Sequence, residues 1–220
     1  MKRLCILGTA QTLKEAPINE DYEFWALNDM YDVVPIEKIS RWFEIHKWEH
    51  VTTHKSRKTN APHIETLSQL KMPIYMQEQH AEIPASVRYP LETLIEHYGR
   101  RFFNSTVDYM LALAIYEGYQ DISIYGVHLS YMEEYGEQRP SCLYWLGVAE
   151  GKGIKIHIPD DSDLLKSYWL YGYEDKKRKD LEVKGNARLK ELERQAAEFQ
   201  KNYYLSLGAK DTWEFILKEL

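Results

Sequence analysis

Two cysteines, Cys5 and Cys142, are all that the 220 residues contain. A chain of this length can bury a core without cross-links, so a disulfide scaffold is not expected and a reducing compartment, the cytoplasm, fits better. Nowhere do about 18 apolar residues follow one another, as a membrane-spanning helix requires. The opening Met1-Lys2-Arg3 is basic, but the apolar run Leu4 to Leu7 is too short for a signal peptide and polar residues follow at once. Positive charge is short as well: 28 Lys and Arg stand against 34 Asp and Glu, a formal net charge of −6. That balance argues against general nucleic-acid binding, which needs a basic surface, while leaving room for a local basic pocket.

Several motifs are absent, and each absence removes a class of chemistry. Gly8 stands without the other two glycines of a dinucleotide fingerprint, and there is no GxxxxGK[ST] phosphate loop. No GxSxG elbow supports a serine hydrolase. His46, His50, His54 and His63 could line up on a helix as zinc ligands. However, Val51-Thr52-Thr53 is a poor helix former, and neither HExxH nor CxxC occurs.

What is abundant is aromatic: 17 Tyr and 6 Trp. Such side chains suit cores, interfaces and ligand pockets alike. The hydrophobic pattern is more decisive. Short apolar runs at Leu4–Leu7, Glu23–Leu27, Arg41–Ile45, Pro73–Met76, Asp121–Tyr125 and Ile154–Ile158 read as strands. Between them lie helical patterns at Pro62–Leu70, Ser105–Glu117 and Pro140–Glu150. In the second, Val107, Met110, Leu111, Ala114 and Ile115 repeat at helical spacing behind a cap at Asn104 or Ser105, and Gly118 ends it. Strands alternating with helices predict an α/β domain, a Rossmann-like, mainly parallel sheet with helices on both faces, over residues 1–166. Residues 167–220 read as an aromatic joint around Tyr168 to Tyr173 and a charged helical tail. A long helix is expected from about Asn186 to Leu205, broken at Gly208, and a last one from Asp211 to Leu217. That tail is a candidate surface for a homo-oligomer.

In a parallel sheet, ligands bind beyond the carboxyl ends of the strands, where strand order reverses. The strand ends offer Gly8, Thr9, Gln11 and Thr12; Asn28 and Asp29; Glu44 and His46; and Gly126, His128 and Ser130. The Gly8 loop can aim backbone N–H groups and hydroxyls at a phosphate, or be a plain strand-to-helix turn. Asn28 and Asp29 can meet a ribose or base edge, or close a turn. Glu44 and His46 share a strand face by period-two alternation and can do acid–base work, or mark a solvent-facing strand end. Lys55, Arg57 and Lys58 form a small basic run able to clamp phosphate, or an ordinary solvated surface. The segment from Gly126 to Ser141 packs His128, Tyr131, Glu133, Glu134, Glu137 and Arg139 into one long loop, a frequent place for function.

Taken together, "ILGTAQTLKEAP", "WALND", "NSTVDYMLALAIYEGYQDISIYGVHLS" and "GIKIHIPDDSDLL" resemble, in order and spacing, the single-domain bacterial sialyltransferases. They resemble equally the related group of hydroxymethylpterin pyrophosphokinases and motility-associated glycosyltransferases. The similar patches fall within residues 1–165. The resemblance implies a nucleotide-activated donor of the CMP- or UDP-sugar type as the small-molecule ligand. Gly8, Thr9, Gln11 and Asn28 would meet the nucleotide, with Asn104, Ser105 and Thr106 near its phosphate or ribose. The sialyltransferases carry a base histidine before the last core helix. Here that region reads Glu137-Gln138-Arg139-Pro140-Ser141, so His128 or Glu137 would take the proton and Arg139 would stabilise the leaving group. One alternative is a pyrophosphokinase with Mg²⁺ on Asp29, Asp108, Glu133 or Glu134. Another is a non-catalytic protein that sequesters a nucleotide, and the size and charge also suit a virus-encoded protein.

Overall fold

A computed structural model describes residues 1–56, 58–130, 134–167 and 169–219. The chain divides into two compact units, Met1–Lys166 and Ser167–Leu220. The first holds seven strands: β1 (Arg3–Leu7), β2 (Glu23–Leu27), β3 (Ile39–Glu44), β4 (Ile74–Met76), β5 (Ser86–Arg88), β6 (Asp121–Tyr125) and β7 (Lys155–His157). They form one sheet in the order β5-β4-β3-β2-β1-β6-β7, and every pairing is parallel. The expected α/β class is met, with a sheet wholly rather than mainly parallel. Among the described residues five α-helices accompany it: α1 (Trp48–Thr53), α2 (His63–Gln69), α3 (Leu91–Tyr98), α4 (Thr106–Tyr116) and α5 (Arg139–Gly151).

The central strand β1 shows why the sheet is covered. Leu4, Cys5, Ile6 and Leu7 are all 0% exposed although successive side chains point to opposite faces. Both faces are therefore buried, as a continuous apolar run in a parallel sheet requires. Trp25, Trp42, Phe43 and Trp145 are fully buried, so these four aromatics are core. Both cysteines are free and buried.

Three elements escape the sequence pattern. Strand β5 has three residues, too few to show a period. Helix α3 lies between Pro90 and Gly99 and was not anticipated. Helix α1 forms through the β-branched Val51-Thr52-Thr53, and there the Thr hydroxyls bond back to the carbonyls of Trp48 and Glu49.

In the second unit, the expected break at Gly208 is absent. A single helix, α6, runs from Lys176 to Glu219 through both Gly185 and Gly208. Ion pairs Arg178–Glu182, Arg194–Glu198 and Lys210–Glu214 run along its surface, while each glycine costs about 1 kcal/mol in a helix interior. No described helix is long and apolar enough to cross a membrane.

Strand order reverses at β1: the chain builds outward through β2 to β5, then returns to place β6 on the other side. At that seam the ends of β1 and β6 touch. Gly8 N–H donates to the Tyr125 carbonyl at 2.8 Å, and Ala10 N–H donates to the Gly126 carbonyl at 2.8 Å. Gly126 has φ +71°, and a Cβ there would lie 2.0 Å from the Gly8 carbonyl oxygen. Gly118, at φ +75°, has nothing within 4 Å of an added Cβ and isolates the backbone effect.

Both alanine variants are expected to lose about 1–2 kcal/mol from the left-handed backbone. Gly126→Ala is expected to lose about 1–3 kcal/mol more from overlap with Gly8. Urea unfolding of the two variants checks this; equal losses would mean that the close approach of Gly8 and Gly126 is not a constraint.

Candidate functional site

Above the Gly8–Gly126 seam lies a cleft of about 790 Å³. The ends of four neighbouring strands and the start of one helix build it. Gly8, Thr9 and Ala10 come after β1, Asn28 and Asp29 after β2, and His46 after β3. Asn104, Ser105 and Thr106 lead into α4, and Gly126, His128 and Ser130 follow β6. The structure thus brings six of the seven binding candidates together. Gln11 lines a separate apolar depression with Leu13, Ile18 and Val33.

Asn28 leaves β2 in the left-handed region, φ 50°, which asparagine tolerates better than most residues. Its N–H donates to the Phe43 carbonyl at 2.9 Å, and its own carbonyl accepts the Trp42 indole at 3.0 Å. With its backbone fixed to β3, the side-chain amide is directed to Thr106, whose hydroxyl lies 3.5 Å from Oδ1.

The start of α4 is held by a buried carboxylate. Asp108 Oδ2 accepts from the N–H groups of Asn104 (2.9 Å) and Ser105 (2.8 Å) and from the Ser141 hydroxyl (2.6 Å). Ser105 Oγ returns the bond by accepting from Asp108 N–H, which completes a capping box. Burial pushes the Asp108 carboxyl up to about 6 against these hydrogen bonds. From α5, the Trp145 indole donates to the Phe102 carbonyl at 2.7 Å, and Ser141 Oγ lies 2.6 Å from the same oxygen. The segment 102–105 is therefore pinned to α5 while the first turn of α4 faces the cleft. The N–H groups of Thr106 and Val107 belong to that turn and have no intrahelical acceptor.

The pair read from strand alternation, Glu44 and His46, proves to be part of a buried chain. Glu44 is 0% exposed; its Oε1 lies 2.5 Å from His46 Nδ1 and its Oε2 lies 2.8 Å from His63 Nε2. His63 Nδ1 is in turn 2.9 Å from the Tyr31 hydroxyl. Burial pushes the Glu44 carboxyl up, but the hydrogen bonds from His46 and His63 outweigh it and hold the group at about 2. The hydrogen bond to Glu44 raises His46 above its usual 6.5; burial opposes this and the charge of Asp29 adds to it. His50 is lowered by burial and by the neighbouring His46. Tyr31, and the pairing of His63 with Glu44, escape a sequence reading because they sit on other elements, 13 and 19 residues from Glu44.

The four histidines do stand in a row, with ring centroids 4.4, 4.8 and 5.4 Å apart. Three of them meet carboxylates: His46 and His63 meet Glu44, and His54 Nε2 is 3.6 Å from Asp29. Among the described residues no three His, Cys, Asp or Glu are grouped to hold a metal ion. Asp108 is buried in the capping box, which removes it as a Mg²⁺ ligand. Glu133 and the Glu134 side chain lie outside the described residues, as do Arg57 and Tyr168. Lys58 donates to the Asp32 carbonyl at 3.3 Å rather than facing the cleft.

Of the catalytic candidates, His128 lines the cleft, with Nε2 3.2 Å from the Oγ1 of buried Thr12. That same Oγ1 accepts the Gly126 N–H at 2.9 Å. Glu137 contributes its carbonyl to the Asn104 amide at 3.2 Å, and the Arg139 guanidinium donates to the Asp163 carbonyl. Neither is among the residues that line the cleft.

No family model and no curated protein sequence matches the chain. Among solved structures, it is similar to the sialyltransferase CstII from Campylobacter jejuni in complex with the substrate analogue CMP-3FNeuAc. The identity is 17% over 72% of this chain and 80% of that one, with a TM-score of 0.45. The same enzyme in complex with cytidine-5'-monophosphate gives 18% identity, coverage of 74% and 81%, and a TM-score of 0.46. In complex with a trisaccharide acceptor and CMP it gives 16%, 71% and 80%, and 0.45.

Glu44, lowered from 4.5 to about 2, adds stability that is complete above about pH 4.5 and is lost as pH falls towards 2. Glu44→Gln is expected to be less stable at neutral pH and to lack on the order of 3 kcal/mol of that acid-side decline. Urea unfolding between pH 7 and 2 measures it. An identical decline in both proteins would mean that Glu44 is not held ionised.

Proposed function

We propose that the chain is a transferase using a nucleotide-activated donor, a glycosyltransferase that takes a sugar from a nucleoside monophosphate of the CMP type. The observation that carries this reading is the cleft at the strand-order reversal, where the Gly8–Ala10 loop, Asn28 and the first turn of α4 converge. The free N–H groups of Thr106 and Val107, with the positive end of the helix dipole, receive the phosphate. Thr9 and Ser105 supply further neutral donors. Asn28 reads the nucleoside from a backbone that two hydrogen bonds to β3 hold in place.

Charge decides between donor classes. Among the described residues that line the cleft there is no Lys or Arg, and Asp29 contributes negative charge. A helix start carries roughly half a positive charge, which suits the single negative charge of a monophosphate diester. A UDP-sugar brings a second charge and ATP several, with no described cation in the lining to meet them. This favours the CMP-type donor over the UDP-type and over a Mg²⁺–ATP phosphotransferase. The sequence resemblance implies a donor of the CMP- or UDP-sugar type, and the charge of the lining favours the first of these. A cleft imidazole, His46 or His128, removes the proton of the acceptor hydroxyl.

Thermal unfolding with CMP-, UDP- and GDP-sugars, and with ATP with and without Mg²⁺, tests the reading. At a hundredfold excess over Kd, a CMP-sugar is expected to raise Tm by roughly 5–10 °C. Asn28→Gly keeps the left-handed backbone and removes the amide, so affinity is expected to fall about tenfold. No shift with any nucleotide would contradict a nucleotide cleft, and a shift only with Mg²⁺–ATP would replace the transferase with a phosphotransferase.

A further inference from the structure

Two imidazoles line the cleft, and their surroundings differ. His128 turns Nε2 towards Thr12, a fully buried hydroxyl that also holds the Gly126 N–H. No carboxylate meets its ring among the described residues. His46 is placed otherwise. Its side chain is 42% exposed, its Nδ1 lies 2.5 Å from Glu44, and Glu44 is wholly buried behind it. With Nδ1–H donated to the carboxylate, the neutral ring presents Nε2 as the acceptor.

We infer that His46 is the general base of the transfer proposed above, and that Glu44 is its positioning residue, fixed from behind by His63 and Tyr31. The inference rests on that reading of the cleft. The acceptor O–H proton passes to His46 Nε2 as the oxygen forms its bond to the anomeric carbon of the donor sugar. The bond from that carbon to the phosphate oxygen breaks, and its electron pair leaves with the nucleoside monophosphate. The imidazolium then returns its proton to water. Glu44 has two effects on this step: it fixes the tautomer, and its charge stabilises the imidazolium as it forms. The second oxygen of Glu44 is occupied by His63, and His63 by Tyr31, so the carboxylate cannot swing away from His46.

The groups facing His46 are Glu44 on β3, Asp29 after β2 and His50 on α1, with His54 and His63 further along the row. The two carboxylates favour the imidazolium and His50 opposes it. The working base is the neutral ring, so kcat/KM is expected to rise with pH through a value above 6.5.

The test measures nucleotide release from the CMP-, UDP- or GDP-sugar that shifts Tm, using the full chain. His46→Ala is expected to keep the donor-induced Tm shift, lose about 10²–10⁴-fold in kcat, and recover part of it with added imidazole. Glu44→Gln is expected to move the rising limb of the pH profile to lower pH, which a purely structural loss would not do. His46→Ala turning over within threefold of the parent overturns the inference, as does a pH limb that moves only in His128→Ala. Both results leave the donor cleft standing if the Tm shift persists. Absence of a Tm shift with every donor removes the cleft reading, and the inference with it.

Discussion

Two glycine backbones pressed against each other at the ends of β1 and β6 set the geometry on which the molecule depends. The Gly8 and Ala10 N–H groups donate to the Tyr125 and Gly126 carbonyls where no Cβ fits, and Thr12 reaches across to hold Gly126 N–H. The seam lies where strand order reverses, so the chains leaving β1 and β6 must part above it. A crevice is the necessary result of that parting. Both faces of the central strand beneath it are buried.

Polar groups around this crevice are arranged by buried carboxylates that never reach its surface. Asp108 draws the N–H groups of Asn104 and Ser105 and the Ser141 hydroxyl around one oxygen and so sets the first turn of α4. Glu44 does the same for His46 and His63. One carboxylate thereby presents a helix start, suited to an anion, and the other presents an imidazole, suited to a proton. Their environments push them apart: burial dominates at Asp108 and raises it, while two imidazole hydrogen bonds dominate at Glu44 and lower it.

Much of this was legible in the sequence where a signal is local. The strand ends Gly8, Asn28, His46 and Gly126, and the capped helix behind Ser105, follow from period and turn chemistry within a few residues. Partnerships between distant elements were not. His63 meets Glu44 from a helix start 19 residues on, and Arg139 turns to the Asp163 carbonyl rather than to the cleft. Gln11 follows Gly8 closely in sequence, yet the short helical turn of Gln11–Glu15 carries it to a neighbouring depression. Local propensity also misjudged α1 and α6, where threonine hydroxyls bonded to the preceding turn and a run of ion pairs accompany helix through residues that disfavour it.

The most direct measurement of the central claim is a crystal structure of the chain grown with saturating CMP. The phosphate is expected within about 3 Å of the Thr106 and Val107 N–H groups, with the nucleoside against Asn28 and the Gly8 loop. The open side of the phosphate would then point towards His46. CMP bound elsewhere, or a cleft left empty at saturation, would contradict the account.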